Sequence, residues 1–200
     1  MHPAVCAPVS ALAYEGRLQS LAEVTAARHL DGHPPGVHVL RVHHEGNSSE
    51  SPEEAKAIAA HIKLLLGSSW TTEHGTRPLA ATDVLALAPY NAQVVLLRQR
   101  LAADGLGDVR VGTVDKFQGA EAPVAVISMT ASSVEDIPRG MPFLLNRNRL
   151  NVAISRAQYA AVIVAAEALT EYLPATPAGL VELGAFLALT ASASPTPRAR

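Results

Sequence analysis

The stretch "DVLALAPYNAQVVLLRQRLAA", residues 83–103, decides the fold. Its opening run is apolar without alternation, which is the pattern of a strand covered on both faces. Pro89 ends that strand, and "NAQVVLLRQRLAA" (91–103) reads as a helix. A doubly covered strand that leads at once into a helix is the building unit of a parallel sheet.

Four further stretches fit the same sheet: "VHVLRV" (37–42), "VRVGTV" (109–114), "PVAVISMT" (123–130) and "YAAVIVAA" (159–166). Helices are predicted at 51–66, 147–157 and 178–190. The first of these, "SPEEAKAIAAHIKLLL", has Ser51 as a cap, Pro52 in its first turn and Glu54 to close a capping box. Ala55, Ile58, Ala59, Ile62, Leu65 and Leu66 form its apolar stripe. Residues 1–36 read as short helical pieces and loops, broken at "DGHPPG". Segments 67–82 and 131–146 read as loops, with Trp70 tacking part of the former down, and "SASPTPRAR" reads as part of a disordered tail. The expected class is α/β, a mostly parallel sheet with helices on both faces. Ligands of such sheets sit beyond the carboxyl ends of the strands.

Composition narrows the function. Apolar residues make up 48% of the 200, enough for one domain with a full core. No apolar run reaches the roughly 18 residues of a membrane span, and no secretory leader is legible. The lone Cys6 excludes a disulfide framework and a thiolate metal cluster, and fits a reducing cytoplasm. It has no nameable partner as a nucleophile. Eight histidines are present, but no HExxH or Cys–His spacing supports a metal site. With a formal charge of −2, any binding to nucleic acid must come from a local patch. Ile137–Ala160 supplies one: Arg139, Arg147, Arg149 and Arg156, with no acid among them.

Three segments concentrate polar chemistry. In "APYNAQ", Pro89 ends a strand and Asn91 caps a helix, or the same residues meet a ligand. "TVDKFQGAE" (113–121) holds far more than a turn requires. Gln118 and Gly119 allow close backbone approach to a phosphate, and Glu121 can accept from a ribose hydroxyl. Asp115 and Glu121 read weakly as an acid–base pair, and Asp115 more naturally caps a short turn. In "NRLNVAISRA", Arg149 and Arg156 are nearly two helical turns apart and point the same way. Such a pair is either two solvated arginines near a helix end or a phosphate-binding fork.

Together, "LAPYNAQ", "VGTVDKFQGAE", "SSVEDIPRGMPFLLNRNRLNVAISRAQ" and "YEGRLQS", in order over residues 1–170, resemble the last motifs of superfamily 1 helicases. The likeness is to the upframeshift- and senataxin-type group and to bacterial helicases that follow a RecB-like nuclease. It implies that residues 1–190 form the second RecA-like domain of a helicase, with 1–36 a partial linking segment and 191–200 the tail. It implies ATP with Mg²⁺ in a cleft against a first RecA-like domain, and single-stranded DNA or RNA as the track. Arg156 would be the arginine finger. Gln118, Gly119, Glu121 and Arg149 would serve the nucleotide. Pro89, Tyr90, Thr113 and Asn151 would face the strand.

One departure is large. The sequence has no G-x-x-x-x-G-K-[ST], no Gly–Lys pair and no Asp–Glu pair, so the P-loop and the magnesium motif are absent from it. It opens "MHPAV", which resembles the tail of a divided helicase motif, so a fragment or a misplaced start is expected. Ala120 stands where the family often has a longer polar residue. The chain alone is then expected to be inactive. The alternative is a stand-alone module that binds nucleic acid or protein without turnover; a transferase on a doubly wound sheet would need a Gly-rich strand–turn–helix that is not found.

Overall fold

The structure, a computed structural model, describes residues 1–191 and 194–195. The chain opens with α1 (Pro3–Ala13), α2 (Ala22–Thr25), β1 (His29–Leu30), β2 (Gly36–Arg41) and α3 (Pro52–Leu65). There follow β3 (Ser69–Thr72), β4 (Gly75–Pro78), β5 (Val84–Ala88), α4 (Asn91–Ala103), β6 (Arg110–Thr113) and β7 (Ala122–Ser128). The last elements are α5 (Met141–Leu144), α6 (Arg147–Ile154), β8 (Ala157–Ala165), α7 (Pro177–Ala191) and β9 (Ser194–Pro195).

The main sheet has the order β6-β5-β7-β8-β2-β9, and its pairs are all parallel. Its strands separate two cores by strict alternation. Leu85, Leu87, Ala125, Ile127, Ala161 and Ile163 face one way, onto α1, α6 and α7 through Val9, Ile154 and Phe186. Val84, Ala86, Val124, Val126, Val162 and Val164 face the other, onto α3 and α4 through Ile58, Ile62 and Leu97. Period-two alternation with both faces apolar is why the runs read as continuous hydrophobics. The fold is the expected α/β RecA-like sheet with helices on both faces.

Four local readings are corrected. Segment 67–82 is no loop: β3 and β4 form a hairpin that, with β1, makes a small antiparallel sheet. Trp70 anchors it, 2% exposed and edge-on to Tyr159 at 5.5 Å between ring centroids. In α3, Ser51 does accept the Glu54 N–H at 3.2 Å, but Glu54 does not reciprocate. The Ser51 N–H donates instead to Gln93 Oε1 at 2.7 Å. Helix α6 stops at Ile154, so Arg156 lies beyond it. Of the expected tail, Ala191 belongs to α7, and Ser194 and Pro195 pair with His38 and Val39; the rest lies outside the described residues.

The link from β6 to β7 is short for its task. Thr113 lies level with Ala88 at the carboxyl ends of the strands, while Ala122 pairs with Ala157 at their amino ends. Residues 114–121 therefore cross the sheet, packing Val114, Phe117 and Ala120 on the core beside α6. Gly112 admits this crossing. A Cβ there would lie 2.9 Å from Lys116 Cδ and 2.9 Å from Phe117 Cε2.

Three histidines are buried together between β2, α3 and the turn before β2. His33 Nδ1 donates to the Pro34 carbonyl at 2.8 Å, and His38 Nε2 to the same oxygen at 2.9 Å. The His33 ring lies 4.6 Å from that of His38 and 5.6 Å from that of His61. Burial, with the neighbouring imidazoles, lowers His33 and His61 to about 4.

Two predictions follow from this packing. In the unfolded chain His33 and His61 titrate near 6.5, so the unfolded state binds more protons between pH 6.5 and 4. Stability should be full above pH 6.5 and fall on acidification towards pH 4, by at most roughly 1.4 kcal/mol per pH unit for each histidine. Chemical denaturation across that range should show a shallower slope for His61→Leu than for wild type; equal slopes refute the assignment. Separately, Gly112→Ala should cost about 1–3 kcal/mol by overpacking. Gly107→Ala, whose Cβ would meet nothing within 4 Å, should change stability by no more than about 0.5 kcal/mol. Paired thermal melts read the difference.

Candidate nucleotide and nucleic-acid site

Parallel strands place all their carboxyl ends on one rim and all their amino ends on the other. The candidate residues divide between these rims. Helix α6, eight residues and about 12 Å long, returns the chain from the carboxyl rim to the amino rim before β8. Arg149, near its start, lies at the first rim, and Arg156, past its end, lies at the second. The expectation that the two arginines point the same way is thus wrong, because the crossover helix separates them.

At the carboxyl rim, Pro89, Tyr90 and Thr113 line a cleft of about 460 Å³ with Asn91, Asp115, Arg139, Phe143 and Arg149. Phe143 is its centre. Tyr90 stacks against it at 5.5 Å and 29°. The guanidinium carbons of Arg139 and Arg149 lie 4.7 and 4.3 Å from its ring centroid, within cation–π range. Arg149 Nη2 donates to Asp115 Oδ2 at 3.4 Å. Burial raises the Tyr90 phenol above its ordinary pKa, against the opposing pull of Arg139 and Arg149. Asn91 does not cap α4; it begins that helix and its side chain lines the cleft, while Tyr90 holds the cap position without a side-chain bond.

The candidates expected on different ligands are therefore regrouped. Arg149, expected at the nucleotide, sits in the cleft beside the residues expected to face the strand. Asn151, assigned to the strand, is 9% exposed and turned to α1, where its Nδ2 donates to the Tyr14 hydroxyl at 3.3 Å. Asp115 serves as partner to Arg149. The segment itself holds no acid, and Asp115 reaches Arg149 from outside it.

At the amino rim, Gln118, Gly119 and Glu121 are exposed, on the turn that enters β7. Gly119 adopts φ +85°, and no atom lies within 4 Å of where its Cβ would be. Glu121 accepts from Gln158 Nε2 at 3.4 Å. Arg156 leans over the same turn. Its Nε donates to Val152 O at 3.0 Å and its Nη1 to Ala120 O at 3.2 Å, with a longer contact to Phe117 O at 3.4 Å. Nη2 donates to the Ser155 hydroxyl at 3.2 Å. These acceptors are neutral, and among the described residues no carboxylate pairs with Arg156. The backbone Ala122 N–H donates to Arg156 O at 3.0 Å, which fixes this residue beside the turn.

Sequence reading gave no role to Phe143 or to the polar network behind the carboxyl rim. Phe143 lay in a stretch read as loop, though the arginines around it were a signal. In the network, the buried Glu54 carboxylate accepts from the Ser128 hydroxyl, from Thr130 N–H at 3.0 Å and from His44 Nε2 at 3.2 Å. His44 Nδ1 in turn meets Ser132 Oγ at 2.8 Å. Ser132 is 2% exposed, so this Ser–His–Glu chain has no access to a substrate and acts as a strut. Among the described residues, no group of three or more His, Cys, Asp or Glu could hold a metal ion, and no helix is long and apolar enough to cross a membrane.

Comparison with known proteins agrees with the motifs. A family model described as "AAA domain" matches residues 1–168. The chain is 38% identical over 110 residues to the DNA polymerase alpha-associated DNA helicase A of Schizosaccharomyces pombe, covering 55% of this chain and 15% of that protein. It is 29% identical over 187 residues to the putative helicase mov-10-B.1 of Danio rerio, covering 82% of this chain and 18% of that protein. With the DNA-binding protein SMUBP-2 of Rattus norvegicus it shares 28% over 177 residues, 79% of this chain and 16% of the relative. The chain thus spans less than a fifth of each of these relatives. Motifs in helicase order, on a parallel sheet that sends them to two opposite rims, agree with a family match over most of the sequence: the chain belongs to the AAA domain family, as a superfamily 1 helicase-type domain.

Proposed function

We propose that this chain is the second RecA-like domain of an ATP-dependent helicase, with the amino rim serving the nucleotide and the carboxyl rim serving a single strand. The observation that carries the reading is Arg156: a guanidinium held over an open turn by neutral acceptors alone. Carbonyl acceptors hold it in place but leave its charge uncompensated, so an anion arriving at the turn gains a full charge-assisted contact. In this reading Arg156 is the arginine finger on the γ-phosphate, where such a group contributes roughly 10³–10⁵ in rate in related phosphoryl transfers. Gln118 and Gly119 line the nucleotide, and Glu121 accepts from its sugar. The openness above Gly119 fits a ligand that approaches backbone closely.

ATP and Mg²⁺ are held mainly by a first RecA-like domain, because this sequence has no Gly–Lys loop to cradle phosphates. Bound ATP supplies the phosphoryl group, and this chain supplies orientation and charge. Pro89, Tyr90 and Thr113 receive the strand, DNA or RNA, with Arg149 beside them in place of Asn151. A fused nuclease and a cytoplasmic setting belong to the same reading.

The alternative is a module that binds nucleic acid or protein without turnover. The arginine-lined cleft favours it equally, since that cleft is complete within this chain. Two measurements separate the readings. The purified 200 residues should show no ATP hydrolysis above background; hydrolysis that Arg156→Ala abolishes would refute the incomplete motor. The carboxyl-rim cleft should bind labelled single strands weakly, on the order of 10⁻⁴–10⁻⁶ M near physiological salt, with log K falling by roughly 0.7 per phosphate contact for each unit of log salt. Affinity without salt dependence would remove the strand from both readings.

A further inference from the structure

Three charged groups of the carboxyl-rim cleft differ in how they are held. Arg139 is exposed, and among the described residues no carboxylate pairs with it. The acid nearest to it in the chain, Asp136, is occupied by the Ser133 N–H at 3.1 Å and the Ser133 hydroxyl at 2.7 Å. Arg149 is fixed from below by its contact with the Phe143 ring, independently of its acidic partner. That partner, Asp115, has a side chain 76% exposed and one long contact of 3.4 Å. It is the only acid lining the cleft among the described residues.

We propose that Asp115 is a resident competitor for the strand's phosphate: its carboxylate occupies the outer Nη of Arg149 when no strand is bound, and a phosphate displaces it. This rests on the reading of the cleft as the strand's track. The exchange is isosteric in charge, one oxyanion for another, and the Phe143 ring holds the guanidinium plane through it. An exposed ion pair of this kind is weak, so it is displaced readily yet subtracts from the phosphate's gain. Arg139, with no such competitor, engages the phosphate chain outright. A domain that must take and release a strand repeatedly benefits from one contact that reseals itself on release.

The test is a double-mutant cycle on the 200-residue chain, read by fluorescence anisotropy with labelled fifteen-nucleotide dT and rU single strands. Asp115→Asn should tighten binding of both by about two- to fivefold at low salt, with the gain fading as salt rises. In an Arg149→Gln background the same change should give no gain, because the competitor has lost its site. A gain of equal size in both backgrounds would mean a general field effect and would overturn the proposal. So would no gain, or a loss, which would make the carboxylate itself a contact to the strand. Absence of binding by any form at low salt would overturn the track reading first, and this proposal with it. A second measurement needs no Arg149 variant. The Arg149 Nε–Hε resonance, titrated with inorganic phosphate, should reach its midpoint at lower phosphate in Asp115→Asn than in wild type; equal midpoints overturn the proposal.

Discussion

A parallel strand has to be entered from its amino end, so each connection in this sheet must cross from one rim to the other. That constraint organises the molecule. Helix α6 and segment 114–121 make two such crossings side by side, and they are tied together at both ends. Arg149 meets Asp115 at the carboxyl rim, and Arg156 meets the carbonyls of Phe117 and Ala120 at the amino rim. The two rims thereby share one pair of packed segments. Phe117, 9% exposed, fills the space between them, and Gly112 leaves room for it.

The carboxyl rim needs its own support, because strands end there and their last polar groups lose partners. Glu54 provides it from the first turn of α3. A buried carboxylate is costly unless its lone pairs are filled, and here a hydroxyl, a backbone N–H and an imidazole fill them. One of the three, the Thr130 N–H, comes from a residue at φ 72°, a conformation unusual outside glycine. The hydrogen bond to Glu54 holds that turn, and Gln93 bridges Ser51 to Ser128 alongside it. Strand β7, helix α3 and helix α4 are thereby locked behind the cleft.

Much of this was legible in the residues and some was not, for physical reasons. The strands at 84–88, 122–128 and 157–165 announce themselves because burial on both faces demands unbroken apolar runs. The hairpin 69–78 hid because a small sheet with one buried face asks for little more than Trp70, and no other residue of its strands is a large apolar one. Arg149 and Arg156 stand out in the sequence as arginines in an acid-free segment, but their separation does not. Helical spacing assumes one continuous helix, and α6 ends before Arg156. The surroundings of Asn151 were hidden for a related reason: its position on the helix turns it to α1, a neighbour that sequence periodicity cannot name. Phe143 was missed because a single turn of helix, α5, is too short to show a period. Glu54 looked like half of a cap, since nothing local shows that a strand end seventy-four residues away claims its oxygen.

The sole tryptophan of the sequence closes the small sheet against the large one, edge-on to Tyr159. Its indole is sealed from solvent and its aromatic neighbour belongs to β8, the strand that Arg156 precedes. The molecule therefore carries a built-in optical reporter: the colour of its ultraviolet emission registers whether the hairpin stays docked on the strand that leaves the amino rim.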